Sequence, residues 1–175
     1  PAMSAPIQLG YQSSADIDGS PYIPATANVV PHRVGLRWSG HPAYEHQTKR
    51  SFPHELLFNT IKDRAYCINL QRDEGEEYCP NWVEKVDLST WTATAAAISS
   101  CEMVITSCTS IGHLAGAMGV PTMIIVPVVP YYLWTLSGMS TPYYNSVTLL
   151  RQTDPDDWLA PFEQLAEMVV LREAA

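Results

Sequence analysis

A run of small and polar residues at 107–121, SCTSIGHLAGAMGVP, has the residue types to bind a phosphate group. Its hydroxyls come where a helix would begin, and the free N–H groups and positive dipole end of a helix N-terminus attract anions. Gly112 and Gly116 cost a short helix about 1 kcal/mol each relative to alanine. Two interpretations account for these glycines. Close packing of the helix on a sheet is favoured for Gly116. An open helix N-terminus that binds an anion is favoured for the stretch from Thr109 to Gly112.

The loop after the first apolar segment supplies charge for the same site. WSGHPAYEHQTKRSFPHELL at 38–57 passes through Ser39 and Gly40 and brings Lys49 and Arg50 to the start of the next helical pattern. Only ten residues of the chain are Lys or Arg, so two together here suggest a clamp on a diphosphate. A solvated pair of surface cations is the alternative.

The histidines do not predict a metal site. His32, His41, His46 and His54 are close in sequence, but their spacing matches no zinc signature and HPAYEH is not His-Glu-x-x-His. We therefore expect neither a metal nor any other cofactor. The aromatic residues of YYLWTLS at 131–137 are interpreted as packing residues.

The four cysteines at positions 67, 79, 101 and 108 contain no Cys-x-x-Cys pair and are expected to be reduced thiols. Cys108 is the exception to consider, because a helix N-terminus lowers a thiol pKa and favours a nucleophilic or redox role. That role stands as a third hypothesis for the chain.

The elements that position these residues alternate between strands and helices, which predicts a parallel sheet with crossover helices. Continuous apolar runs without polar alternation are typical of strands covered on both faces. Ligands of such sheets bind beyond the carboxyl ends of the strands, where the strand order reverses. The predicted strands are RVGLRWS, AYCINLQ, MVITS, TMIIVPV and SVTLLRQ, and the predicted helices are ELLFNTI, NWVEKV, TATAAAISS, the 107–121 segment, YYLWTLS and PDDWLAPFEQLAEMVVLREA.

Length and charge limit the classes of function. A chain of 175 residues suits one ordinary domain, here residues 32–175, preceded by a Pro-, Ser-, Ala- and Gly-rich linker or arm at 1–31. A net charge of −8 argues against nucleic acid or anionic lipid as a partner. No apolar run reaches the length of a membrane span and no signal peptide is recognisable, so a cytoplasmic location is expected.

Taken together, the segments resemble a family of bacterial enzymes. VGLRWSGHP, KRSFPHELL, INLQ, the stretch from TATAAAISS to TMIIVP, and YYLWTLSGMSTPYYNSVTLLRQ look like the C-terminal half of glycosyltransferases related to the lipopolysaccharide heptosyltransferases. The match is nearest to the branch in which that half follows tetratricopeptide repeats, in bacteria or their phages. MSAPIQLG and PYIP resemble the passage between the two lobes, so we expect an N-terminal lobe that is missing here.

The resemblance implies one half of a GT-B architecture: a three-layer, Rossmann-like α/β domain with a mostly parallel six-stranded sheet. It implies binding of a nucleotide-sugar donor, and transfer of the sugar to an unknown glycan or protein acceptor once an N-terminal lobe supplies the base. The isolated fragment would be inactive alone, and apolar surface left uncovered could promote homo-oligomers. The implied diphosphate-binding residues are Thr109, Ser110, Gly112, His113, Lys49 and Arg50, the implied loop residues near the donor are Ser39, Gly40 and Cys108, and the implied nucleoside contacts are Gln71 and Glu77.

The sequence departs from the family pattern at one position. Asp-Thr-Ser is expected before the helix, and Cys108 stands where the Asp should be. A thiol is a poor substitute for a carboxylate as a hydrogen-bond acceptor. The alternative function is therefore a catalytically inactive, glycosyltransferase-like binding or scaffold module.

Overall fold

The computed structural model describes residues 8–26, 28–43, 50–72, 74–155 and 157–169. Strands and helices alternate along most of that chain. The strands are β1 (Arg33–Arg37), β2 (Tyr66–Asn69), β3 (Glu84–Lys85), β4 (Met103–Ser107), β5 (Thr122–Val126) and β6 (Val147–Arg151). The α-helices are α1 (His54–Ile61), α2 (Trp91–Ser99), α3 (Ser110–Ala117) and α4 (Leu159–Met168). Short 3-10 turns lie at Ser14–Asp16, Glu76–Tyr78 and Tyr132–Trp134.

All six strands run parallel in the order β3-β2-β1-β4-β5-β6. Val34 in β1 pairs with Cys67 of β2 on one side and with Met103 of β4 on the other. The prediction of a six-stranded, Rossmann-like α/β domain is thus confirmed. The strand order reverses between β1 and β4, which places the expected ligand crevice at their carboxyl ends.

Helices cover both faces of the sheet, which explains why its strands lack polar alternation. All five residues of β5 are buried. On one face, α1 and α4 pack through residues such as Leu57 and Phe162 against Leu36 and Ile125. On the other face, Ile98 of α2 and Ala115 of α3 belong to a cluster with Val104.

One predicted element is wrong. NWVEKV was expected to be a helix, whereas Glu84 and Lys85 form the edge strand β3, paired with Ile68 and Asn69. Both residues of β3 are exposed, so the strand carries no buried side chain that would produce a periodic signal.

The N-terminal arm lies along the domain where it is described. The N–H groups of Tyr22 and Ile23 both bond to the carbonyl of Ala117, and the N–H of Val30 bonds to that of Ser100. The segment is therefore bonded to the ends of α3 and α2. None of the helices in the described ranges has the length and apolar character to cross a bilayer.

Candidate functional site

A cleft of about 330 Å³ opens at the carboxyl ends of β1 and β4. This is the point where the strand order reverses, and two of the loops that the sequence analysis singled out border it. Its lining residues are Arg37, Gly40, His41, Arg50, Cys108, Thr109, Ser110, His113 and Tyr131. The structure therefore brings the start of α3 together with both the β1 loop and Arg50.

The N-terminus of α3 carries no side-chain cap. Thr109 has the extended backbone of a capping residue, but its hydroxyl makes no capping hydrogen bond. Instead its oxygen lies 3.1 Å from that of Thr106, whose hydroxyl donates to the carbonyl of Ser107. Ser110, the first residue of the helix, is exposed at the rim of the cleft. The positive end of the α3 dipole is thus not covered by the Thr109 hydroxyl.

Two guanidinium groups line the cleft near this helix N-terminus. Nη1 of Arg50 donates to the carbonyl of Cys108 at 3.0 Å, which fixes the guanidinium beside the loop that precedes α3. Nη1 of Arg37 donates to the carbonyl of Leu70 at 3.2 Å. Lys49 lies outside the described residues, so its predicted contact with the diphosphate stays a prediction. The sequence analysis did not predict Arg37 as a site residue. The feature that could have identified it is a charged residue at the end of an otherwise buried strand.

His113 is held in an aromatic cluster at the edge of the cleft. Its ring stacks on Trp134 with centroids 4.4 Å apart, and Nδ1 lies 3.1 Å from the hydroxyl of Tyr144. Burial lowers the pKa of His113 below its ordinary value of 6.5, so the ring is neutral at pH 7. When the Tyr144 hydroxyl donates to Nδ1, the ring proton stays on Nε2. His113 then offers a hydrogen bond rather than a positive charge.

Cys108 is a buried hydrogen-bond acceptor. Its sulfur lies 2.9 Å from Nε1 of Trp134, which donates to it, and only 3% of the residue is exposed. Burial raises the pKa of the Cys108 thiol above its usual value. The lowered thiol pKa on which the redox hypothesis depended is therefore contradicted, because desolvation of the thiolate outweighs the nearby Arg50 charge.

The segment that carries Trp134 is fixed by one arginine from β6. The guanidinium of Arg151 donates to the carbonyls of Trp134, Thr135, Ser137 and Gly138 and to the Thr135 hydroxyl. Trp134 itself is completely buried. Arg151 thus positions the indole against Cys108 and His113. Tyr131, interpreted from sequence as a packing residue, contacts the ring of Tyr132 and also lines the cleft.

The two glycines of α3 are both explained by packing. A Cβ at Gly112 would lie 2.8 Å from Cδ1 of Ile124 and 3.2 Å from Cγ2 of Thr106, and one at Gly116 would lie 2.7 Å from Cγ of Tyr144. The interpretation that Gly112 leaves room for an anion is corrected, because the space beside it is filled by the sheet. The nearest neighbour of Gly116 is a tyrosine from the loop before β6 rather than a strand.

The predicted nucleoside contacts are occupied within the protein. Oε1 of Gln71 accepts from the N–H groups of Trp38 and Ser39, and its Nε2 donates to the carbonyl of Glu74 at 2.9 Å. With 1% of Gln71 exposed, its amide joins the β1 and β2 loops rather than facing a ligand. Glu77 accepts from the N–H of Gly75. Neither residue lines the cleft. Ser39 does not line it either, and its hydroxyl donates to the backbone carbonyl of Glu74.

A smaller cleft of about 120 Å³ adjoins the first and shares Arg37 and Ser110 with it. It lies beyond β2, between the starts of α2 and α3. Its other lining residues are Leu70, Arg72, Leu88, Trp91, Thr94 and Ile111. The sequence analysis did not predict this cleft, because its apolar residues are of types that are common at the ends of strands and the starts of helices.

Within the described ranges, no three His, Cys, Asp or Glu side chains are grouped as a metal ion would need. His46 lies outside those ranges. The arrangement offers an anion site built from a helix N-terminus and guanidinium groups, next to a smaller cleft that has Leu88 and Trp91 in its wall.

No protein-family model and no curated protein matches the sequence. Among solved structures, the chain matches the ADP-heptose lipopolysaccharide heptosyltransferase II of E. coli with a TM-score of 0.53 and 15% sequence identity. The chain shares its fold with that glycosyltransferase. The match covers 79% of this chain and 46% of that protein, so the chain spans about half the length of its structural neighbour.

Proposed function

We propose that this chain is the donor-binding domain of a glycosyltransferase and that it binds the diphosphate of a nucleotide sugar. The observation that carries the proposal is the uncapped N-terminus of α3, placed in one cleft with Arg37 and Arg50. A helix N-terminus and guanidinium groups are both suited to phosphate oxygens, the latter through paired hydrogen bonds. The glycosyltransferase fold of the structural neighbour supports this choice of ligand.

The same groups would favour the chemical step. When the bond between the sugar and the diphosphate breaks, negative charge develops on the departing nucleoside diphosphate, and fixed positive groups stabilise it. The neutral His113 would add a hydrogen bond, and Lys49 a further charge. The smaller cleft, with Leu88 and Trp91 in its wall, is suited to a nucleoside. The catalytic base would come with an N-terminal lobe, and a cytoplasmic location belongs to the same proposal.

A second candidate function is a binding or scaffold module that has lost catalysis. The observation that favours it is Cys108, which stands in place of the family's Asp and whose sulfur is turned into the protein toward Trp134. This candidate retains nucleotide-sugar binding and lacks transfer.

Calorimetry against ADP, UDP and GDP tests donor binding. We expect one of them to bind, and Arg37→Gln and Arg50→Gln each to weaken that binding by about 10- to 100-fold, because a hydrogen bond to a charged group contributes about 1.5–3 kcal/mol. Arg64→Gln is the matched control: it removes the same charge from the exposed turn after α1, where Nη1 of Arg64 bonds to the carbonyl of Ala166. A folded protein that binds none of the three nucleotides would overturn the proposal.

Cys108→Asp separates the two candidates. Supplied with a complementary N-terminal lobe, an active parent supports the glycosyltransferase. An inactive parent that still binds nucleotide, together with an active Cys108→Asp variant, supports the inactive module.

A further inference from the structure

A second open groove, of about 360 Å³, lies between the N-terminal arm and the segment that follows β5. Three tyrosines, at positions 11, 132 and 143, contribute to its lining. Gln12, Ser14 and Thr135 lie among them, and of these the Thr135 hydroxyl is already bonded to Arg151 and to the carbonyl of Trp134. Tyr11 is 38% exposed and Tyr132 is 49% exposed, so ring surface remains accessible to a ligand.

The lining identifies a class of ligand by its chemistry. Among the described residues, no Asp, Glu, Lys, Arg or His lines the groove, so the lining does not favour a charged ligand. Tyrosine combines an apolar ring with a polar hydroxyl, and the amide and hydroxyl side chains both donate and accept hydrogen bonds. A neutral saccharide has the complementary surface, since its C–H faces stack on rings while its hydroxyls exchange hydrogen bonds.

One wall of the groove is held in place at a cost in backbone energy. Thr135 has a φ of +57°, a conformation that is uncommon for a β-branched residue. Arg151 holds it there, with Nη1 bonded to the Thr135 carbonyl at 3.2 Å and Nη2 to its hydroxyl at 3.0 Å. Strained residues kept by such overdetermined contacts occur often at ligand sites. The groove wall is thus fixed before any ligand arrives.

The groove adjoins the anion cleft. Tyr132 lines the groove, Tyr131 lines the cleft, and the centroids of their rings are 4.5 Å apart. We propose that the groove binds a neutral oligosaccharide and holds the acceptor glycan next to the donor site. The binding of a saccharide stands on the groove alone, whereas the acceptor role rests on the proposed function.

Titration of the full chain with cellotriose, maltotriose, mannotriose and chitotriose, followed through backbone amide NMR signals, tests the groove. We expect at least one of them to bind at millimolar concentration and to shift the signals of Gln12, Ser14 and Thr135. Tyr11→Ala and Tyr132→Ala should each weaken that binding by about 3- to 10-fold, in line with the loss of one aromatic contact. Tyr132→Phe keeps the ring and should bind more nearly as the parent does.

Tyr78→Ala is the control, because Tyr78 is 53% exposed and lies elsewhere, stacked on His54. The same spectra show whether each variant is folded. Absence of shifts with all four sugars, or shifts that Tyr11→Ala and Tyr132→Ala leave unchanged, would overturn the groove site. Binding of a sugar by a chain that binds no nucleotide would support the groove and remove its acceptor role, so the two proposals fail separately.

Discussion

The helices α2 and α3 begin alike and end up with different N-termini. Thr90 precedes α2 with φ −132° and ψ 160°, and Thr109 precedes α3 with φ −136° and ψ 172°. The Thr90 hydroxyl accepts from the N–H of Ala93 at 3.1 Å, whereas the Thr109 hydroxyl is paired with Thr106. The same residue type in the same backbone conformation caps one helix and leaves the other uncapped.

The difference extends into the helices. The fourth residue of α2 is Thr94, whose hydroxyl bonds to the carbonyl of its own cap, Thr90. The fourth residue of α3 is His113, which faces Trp134 and Tyr144. At the start of α2, the side chains of Thr90 and Thr94 form hydrogen bonds within the helix and its cap. At the start of α3, the corresponding side chains contact residues of neighbouring segments instead. The N-terminus of α2 is thus capped by its own residues, whereas the uncapped N-terminus of α3 is the feature on which the proposed diphosphate site rests.

A carboxylate at the start of α3 would produce the largest change. Ser110→Asp should weaken nucleoside diphosphate binding at least 100-fold, because two charges about 4 Å apart repel by about 4 kcal/mol at an effective dielectric of 20. The free energy of unfolding should stay level or rise by about 0.3–1 kcal/mol, since an acid suits a helix N-terminus. Ser110→Asn, of equal size and no charge, is the control. Calorimetry showing equal affinity for Ser110→Asp and the parent would place the ligand elsewhere.

The glycines of α3 give the next effect, in stability. Gly116→Ala should destabilise the fold, since forcing a methyl group into a packed site costs about 1–3 kcal/mol against about 1 kcal/mol gained in helix propensity. The added carbon would lie 3.0 Å from Cβ of Tyr144, which is close to its backbone and cannot easily move. Gly112→Ala meets the flexible end of Ile124 and should cost less. Urea denaturation measures the free energy of unfolding of both variants. A larger loss of stability for Gly112→Ala than for Gly116→Ala would contradict this packing.

Removal of the α2 cap should have a moderate effect. Thr90→Ala should lower the free energy of unfolding by about 1 kcal/mol and speed the hydrogen exchange of the Ala93 amide. Thr90→Ser keeps the hydroxyl and should restore both. In α3 the Gly112 amide bonds to the carbonyl of Thr109, so Thr109→Ala should leave its exchange unchanged. Faster exchange at Gly112 in that variant would mean that the Thr109 hydroxyl does protect the helix start.

The pH dependence contributed by His113 should be the smallest effect. Its pKa is lowered in the folded protein, so the unfolded chain binds more protons between the folded-state value and 6.5. The stability contributed by neutral His113 is full above about pH 6.5 and is lost as the pH falls through the folded-state pKa. His113→Gln should therefore flatten the decline in stability below pH 6.5. Denaturation curves across this range that keep the parent's slope would show that the ring is not effectively buried.

The sequence allowed prediction of the elements that repeat a buried pattern. β4 and β5 are almost entirely buried and lack polar alternation, and both form as expected. β3 could not be found, because two exposed residues at a sheet edge acquire their conformation only from pairing with β2.

The sequence predicted where the candidate site lies better than it predicted which residues form it. The loop before α3 and Arg50 do meet in one cleft, as the sequence suggested. Gln71 and Gly112 were assigned to a ligand because nothing in the sequence reveals that the amide of Gln71 is already bonded or that Ile124 fills the space beside Gly112. Arg37 was missed because a residue within a strand attracts attention for its burial rather than its charge.

The pairing of β1 with β4 has a consequence for synthesis of the chain. Val34 lies beside Met103, so about 70 residues must leave the ribosome before the central pair of strands can form. Until then β1 can pair only with β2, and its other edge is open to strands of other molecules. Nascent chains that stall before β4 should therefore be the species most prone to aggregate.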